Sequence, residues 1–168
     1  MCTTKSGVHS GAGFKGKTLG VTDLGSGTDT LTQFLAAKKG VRISQFHRIG
    51  VGAGSTAIAA LQNGTVDCVM TTQPTVAAIQ KKGVGTSAID LATTSGATAA
   101  MGGAYPAASA LARTDWVNSH EATVQKVVDA LVATMHWINT HSAADIANKL
   151  PASYVSNQLV TRPARSRP

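Results

Sequence analysis

The sequence predicts an α/β protein built on a parallel-dominated sheet, and three observations carry that prediction. Between residues 14 and 92, short apolar runs suited to strands alternate with stretches of helical spacing, the pattern of consecutive βαβ units. Glycine, alone or after asparagine, closes each helical stretch. The apolar content comes largely from 27 alanines, while aromatics make up only 4% of the 168 residues. Small side chains let helices approach a sheet closely.

The elements follow in order. Residues 18–22 read as the first strand, 23–27 as a Gly-rich turn, and 28–39 as a helix with Leu31, Phe34 and Leu35 on one face, stopped at Gly40. A second strand over 45–51 turns at Gly52-Ala53-Gly54 into a helix carrying Ile58 and Leu61, which Asn63-Gly64 ends. A third strand spans 66–71. Thr72-Gln73-Pro74 then opens a helix through Lys82, and 87–91 reads as a fourth strand. The crossovers are expected to be right-handed, and a four-strand lobe of this pattern is expected to have the order 2-1-3-4. Residues 93–106 lack clear periodicity, and 107–112 read as an isolated strand. A helix over 120–140 carries Val124, Val127, Val128, Leu131, Val132, Met135 and Ile138 at i, i+3, i+4, i+7 spacing. Ser142 and Asp145 have capping-box spacing for a last short helix ending at Leu150-Pro151.

Four segments result: a disordered lead-in at 1–13, an α/β ligand-binding lobe at 14–102, a return strand and helices of another, incomplete lobe at 103–160, and a basic Pro-rich tail at 161–168. The formal charge of +7 is scattered, without a basic stripe or interleaved aromatics, which argues against nucleic-acid binding. The opening residues contain no apolar core of a signal peptide, and no stretch is apolar enough to predict membrane insertion. Cys2 is placed at a frayed end and Cys68 reads as a buried, inert thiol. The five histidines show no metal-ligand spacing, no Ser/His/Asp set stands out, and Gly50-Val51-Gly52-Ala53-Gly54 lacks dinucleotide-fingerprint spacing. Neither metal, cofactor nor catalytic residue is therefore expected.

Ligands of open parallel sheets bind at the carboxyl ends of the strands, where strand order reverses. In the order 2-1-3-4 that point lies between the first and third strands. The candidate ligand contacts are consequently Ser26, Gly27 and Thr28 on one turn and Thr72 and Gln73 on the other. Ser26 and Thr28 offer hydroxyls, and the first helical N–H groups can donate to an oxygen. Asp29 in the same turn would oppose an anion, and its spacing from Ser26 also fits an ordinary helix cap.

Several runs carry a family resemblance. Residues 14–22 followed by Gly25-Ser26-Gly27-Thr28, the run Ala59-Ala60-Leu61-Gln62-Asn63-Gly64-Thr65-Val66-Asp67-Cys68, the pair Gln73-Pro74, Tyr105-Pro106 through Trp116, and residues 121–139 resemble the periplasmic substrate-binding proteins of ABC importers. The type is that of nitrate, sulfonate, taurine and thiamine-pyrimidine-precursor binding. The resemblance implies a type II periplasmic-binding-protein-like lobe, lacking most of the first lobe. It implies a small polar or anionic ligand bound in an interlobe cleft without catalysis, importer membrane subunits as partners, and a periplasmic location. It also implies that the apolar face over 124–138 is left open to self-association. Effector-binding domains of transcription regulators and a pyrimidine-precursor biosynthetic enzyme share this architecture and are the alternatives.

Overall fold

The computed structural model describes residues 1–105 and 108–151. The tail expected over 161–168, the end of the segment expected over 103–160, and Pro106 and Ala107 lie outside the described residues. The chain divides into two compact units, Met1–Ala107 and Ala108–Pro168.

In the first unit, β1 (Thr18–Val21), β2 (His47–Gly50) and β3 (Cys68–Val69) form a parallel sheet in the order β2-β1-β3. The α/β class and parallel sheet expected from the sequence are thus present. Four helices accompany the sheet: α1 (Gly27–Ala37), α2 (Ser55–Gln62), α3 (Thr75–Lys81) and α4 (Thr94–Met101). Side chains alternate across β1 as strand periodicity requires. Leu19 joins a core with Phe14, Leu35, Val41 and Phe46, whereas Ile58, Leu61, Val66, Val69 and Ile79 form a second core. Gly20 occupies a tight crossing point. A Cβ there would stand 2.8 Å from Val51 Cγ2 and 3.0 Å from Val69 Cγ1, so a larger residue would force Val51, just after β2, and Val69 of β3 to give way.

The amino-terminal segment corrects two expectations. Residues 1–13 are not a disordered lead-in: Cys2, Ser6, Val8 and Gly11 are buried, and short 3-10 helices span Thr4–Ser6 and Gly11–Phe14. Residues 1–3 lie antiparallel along the free edge of β3. The Met1 ammonium donates to the Val69 carbonyl at 2.9 Å, Val69 N–H returns a bond to the Met1 carbonyl at 2.7 Å, and Thr3 N–H donates to the Asp67 carbonyl at 3.1 Å. Burial pushes the Met1 ammonium down to about 6. On its other side Cys2 exchanges two backbone bonds of 2.9 Å with Thr86. The fourth strand expected over 87–91 does not form. Residues 1–3 occupy the edge of β3 it would need, and only Thr86 is bridged. Beyond it, Asp90 turns the chain by accepting Ala92 N–H and Thr93 Oγ1, both at 2.8 Å.

The cysteine reading is corrected as well. Cys2 and Cys68 form a disulfide with sulfurs 2.04 Å apart, closing a separation of 66 residues. The pair sits at a cross-strand position without mutual backbone hydrogen bonds, where opposing side chains come closest.

The second unit, within its described residues, is helical: α5 (Thr114–Ser119), α6 (Glu121–Thr140) and α7 (Ala143–Lys149). The strand expected over 107–112 is absent among described residues 108–112, and Leu111 is 91% exposed. Helices α5 and α6 end alike, in Trp116-Val117-Asn118-Ser119-His120 and Trp137-Ile138-Asn139-Thr140-His141. In each, the imidazole stacks on the indole, with centroids 4.6 and 4.1 Å apart. Its Nδ1 lies 2.9 or 2.8 Å from the tryptophan carbonyl, closing the helix end. The capping box of α7 forms as its spacing predicts: Asp145 N–H donates to Ser142 Oγ at 3.2 Å and Ser142 N–H to Asp145 Oδ2 at 3.1 Å. On α6, Val127, Val128, Leu131, Val132, Met135 and Ile138 are exposed. Among the described residues no helix is long and apolar enough to cross a membrane.

Candidate functional site

The order β2-β1-β3 puts the chain reversal where the sequence places it. From β1 the chain passes through α1 to β2 on one side, then through α2 to β3 on the other. The turns after β1 and β3 therefore leave the same sheet edge from neighbouring strands. Backbone bonds fasten that edge: Val51 N–H to the Val21 carbonyl (2.8 Å), Gly52 N–H to Thr22 (3.1 Å), and Met70 N–H to Gly20 (2.8 Å).

The turn after β1 holds three hydroxyls within hydrogen-bond reach of one another. Thr22 Oγ1 lies 3.0 Å from Ser26 Oγ and 2.8 Å from Thr28 Oγ1, and Ser26 Oγ lies 2.8 Å from Thr28 Oγ1. Thr22 N–H also donates to Thr28 Oγ1 at 2.9 Å. Ser26 and Thr28 are half-buried and Gly27 is exposed. The Gly27 and Thr28 N–H groups, in the first turn of α1, have no protein acceptor among the described residues.

Ser26 caps α1, accepting Asp29 N–H at 3.4 Å, but the reciprocal half of a capping box is missing. The Asp29 carboxylate instead accepts Gly25 N–H at 2.8 Å and pairs with the Arg48 guanidinium reaching over from β2. Asp29 is buried. Burial alone would raise its carboxyl, but the Gly25 N–H and Arg48 outweigh burial and hold it below the usual carboxylate range. The opposition of Asp29 to an anion, expected from its position, is thereby met by a fixed counter-charge.

On the turn after β3, Thr72 and Gln73 are exposed, and the Gln73–Pro74 bond is cis. Pro74 is the N-cap of α3. Gln73 Oε1 accepts Ala77 N–H at 3.1 Å, so the side chain supports the first turn of α3. Its amide Nε2 has no protein partner among the described residues, so its two donors are free.

Three contributors escaped the sequence reading. Thr22 joins the hydroxyl cluster, for which its place at the end of a strand was the only signal. Thr75, buried, accepts Gly54 N–H at 2.9 Å and locks the α2 turn to the α3 turn. Thr71 Oγ1, in the turn after β3, is buried without a partner among the described residues. Two partly open hollows of the first unit lie apart from these turns: about 40 Å³ around Cys2, Phe14, Leu19 and Met70, and about 270 Å³ between Gly11, Leu35, Lys39, Ile89 and Ala99. Neither is lined by residues 26–28 or 72–73.

Comparison with known proteins places the chain. A solved structure from Bordetella bronchiseptica RB50 superposes with a TM-score of 0.69 at 30% identity, covering 89% of this chain and 46% of that one. The chain thus spans about half the length of that protein. The alkanesulfonate-binding protein SsuA from Xanthomonas axonopodis pv. citri, bound to MOPS, matches at 25% identity and a TM-score of 0.44, over 49% of this chain and 28% of its own. The periplasmic aliphatic sulphonate binding protein SsuA from Escherichia coli matches at 21% and 0.42, over 48% and 27%. No curated protein matches. The sequence model of the NMT1-like family matches residues 4–152, nearly the whole described chain; the chain belongs to the NMT1-like family.

Proposed function

We propose that the chain supplies the ligand-holding lobe of a solute-binding protein serving an ABC-type importer. The ligand is a small polar organic anion of the sulfonate class, and binding involves no chemical step. One observation carries the ligand chemistry. At the reversal point of the sheet, unpaired N–H groups open α1 beside a cluster of three hydroxyls, and the nearby carboxylate is already neutralised by Arg48. Such donors suit the tetrahedral oxygens of a sulfonate. Ser26, Gly27 and Thr28 form one wall of the mouth, and Thr72 with the Gln73 amide forms the other. Importer membrane subunits are the partners of the complete protein. The Cys2–Cys68 disulfide favours an oxidising compartment, which is the reason to place the protein in the periplasm.

The test is a nuclear magnetic resonance titration of the chain with taurine and a short alkanesulfonate, beside nitrate and a thiamine pyrimidine precursor. Saturable shifts at the amides of residues 26–28 and 72–73 are expected for the sulfonates. They should weaken at least tenfold when Ser26→Ala and Thr28→Val are combined. Shifts confined to other parts of the lobe, or turnover of the pyrimidine compound, would replace this reading.

A further inference from the structure

We propose that the Cys2–Cys68 bond is a redox clasp that holds residues 1–3 between β3 and Thr86 and thereby steadies the turn carrying Thr72 and Gln73. The functional consequence rests on the mouth proposed above; the clasp itself does not.

The placement argues for it. Strand β3 is two residues long, with β1 on one side and residues 1–3 on the other. Residue 70 is already bonded back to Gly20, and the candidate turn begins at the next position. Whatever guards the free edge of β3 thus also steadies the approach to Thr72. Thr86 depends on the same segment, since its bridge is to Cys2 alone among the described residues. Residues 1–3 make few hydrogen bonds against the entropy of ordering them. The covalent link to Cys68 removes most of that entropy cost. Gly85 shows how closely the layers meet, because a Cβ there would stand 2.7 Å from the Cys2 carbonyl oxygen. Both cysteines are buried once the segment is seated, which shields the finished bond from thiols.

The chemistry balances as thiol–disulfide exchange. One cysteine thiolate attacks an oxidant of the RS–SR class, forming a mixed disulfide and releasing RS⁻. The second thiolate displaces the remaining RS⁻ and closes Cys2–Cys68. Two thiols are oxidised, and RS–SR leaves as two RSH. The chain before oxidation would have residues 1–3 detached, the edge of β3 open and residues 84–91 loosened.

Amide hydrogen exchange on the full chain, oxidised against reduced, tests the clasp, with Cys2→Val combined with Cys68→Val as a reduced form of similar core volume. Exchange at Val69, Met70 and Thr86 is expected to quicken at least tenfold on loss of the bond, while Val21 and the amides of β2 change less than threefold. Equal protection in both forms would overturn the proposal. So would a uniform loss across β1 and β2, which would make the bond a global staple. Taurine titration of both forms separates the two readings. Binding at least fivefold weaker without the bond supports the coupling to the mouth, and unchanged binding refutes that coupling. No binding to either form removes the proposed mouth and leaves the clasp to be decided by exchange alone.

Discussion

The two units of the chain are built by different means. The first buries apolar side chains on both sides of its sheet, and Val21, Ala57 and Ile79 are completely removed from solvent. The second buries none of the described residues of its three helices, yet those helices carry well-formed ends. Local chemistry such as caps, stacked imidazoles and i, i+4 hydroxyl bonds is enough to delimit a helix. It is not enough to give the helix a core. Short isolated helices are marginal in water, and most helical stability in proteins comes from packing. The difference shows which residues should matter in each unit: pairs distant in sequence in the first, neighbours along the chain in the second.

That contrast can be broken most forcefully at Arg48. Arg48→Met leaves the buried Asp29 carboxylate without its counter-charge, and a loss of about 3 kcal/mol is expected from urea unfolding at neutral pH. Acid sharpens the result. The folded carboxyl of Asp29 lies below its ordinary value, so the stability it contributes is complete above the unfolded carboxylate range and is lost as pH falls through the folded value. The gap between Arg48→Met and the parent should therefore narrow below about pH 4. A gap independent of pH would show that Arg48 acts through packing alone.

A smaller effect is expected at Gly20. Gly20→Ala puts a methyl group against Val51 and Val69, and such overpacking costs about 1–3 kcal/mol. The same measurement checks it, and a neutral result would mean that the sheet opens more readily than its register suggests. The smallest effect is expected in the second unit. Leu131→Ala should change stability by less than about 0.5 kcal/mol, the usual range for surface positions, because Leu131 is 54% exposed. A loss of about 2–5 kcal/mol, the range for buried leucines, would reveal that α6 is covered in solution. Sedimentation would then show whether a second copy covers it.

These contrasts also explain what could be read from the residues alone. The succession of strands and helices up to Lys82 was legible because helical and strand periods, with glycine stops, are local properties. The reversal between β1 and β3 was legible for a related reason, since few arrangements satisfy short right-handed crossovers. The seating of residues 1–3 was not. Edge pairing by backbone groups and a disulfide leave no periodic trace, and Cys2 stands at the very start of the chain. The displaced fourth strand follows from the same cause. The Asp29–Arg48 pair was hidden because it depends on where β2 lies beside the turn after β1. The strand expected over 107–112 is absent among described residues 108–112 because an apolar run specifies a strand only where a partner edge exists.

The stacked endings at Trp116 and Trp137 have a practical consequence. The chain contains two indoles, both sitting where a helix stops in the second unit. Ultraviolet emission from tryptophan will therefore follow the fraying of those ends during heating. The sheet-bearing half will stay dark in the same record, and its melting must be watched by another probe.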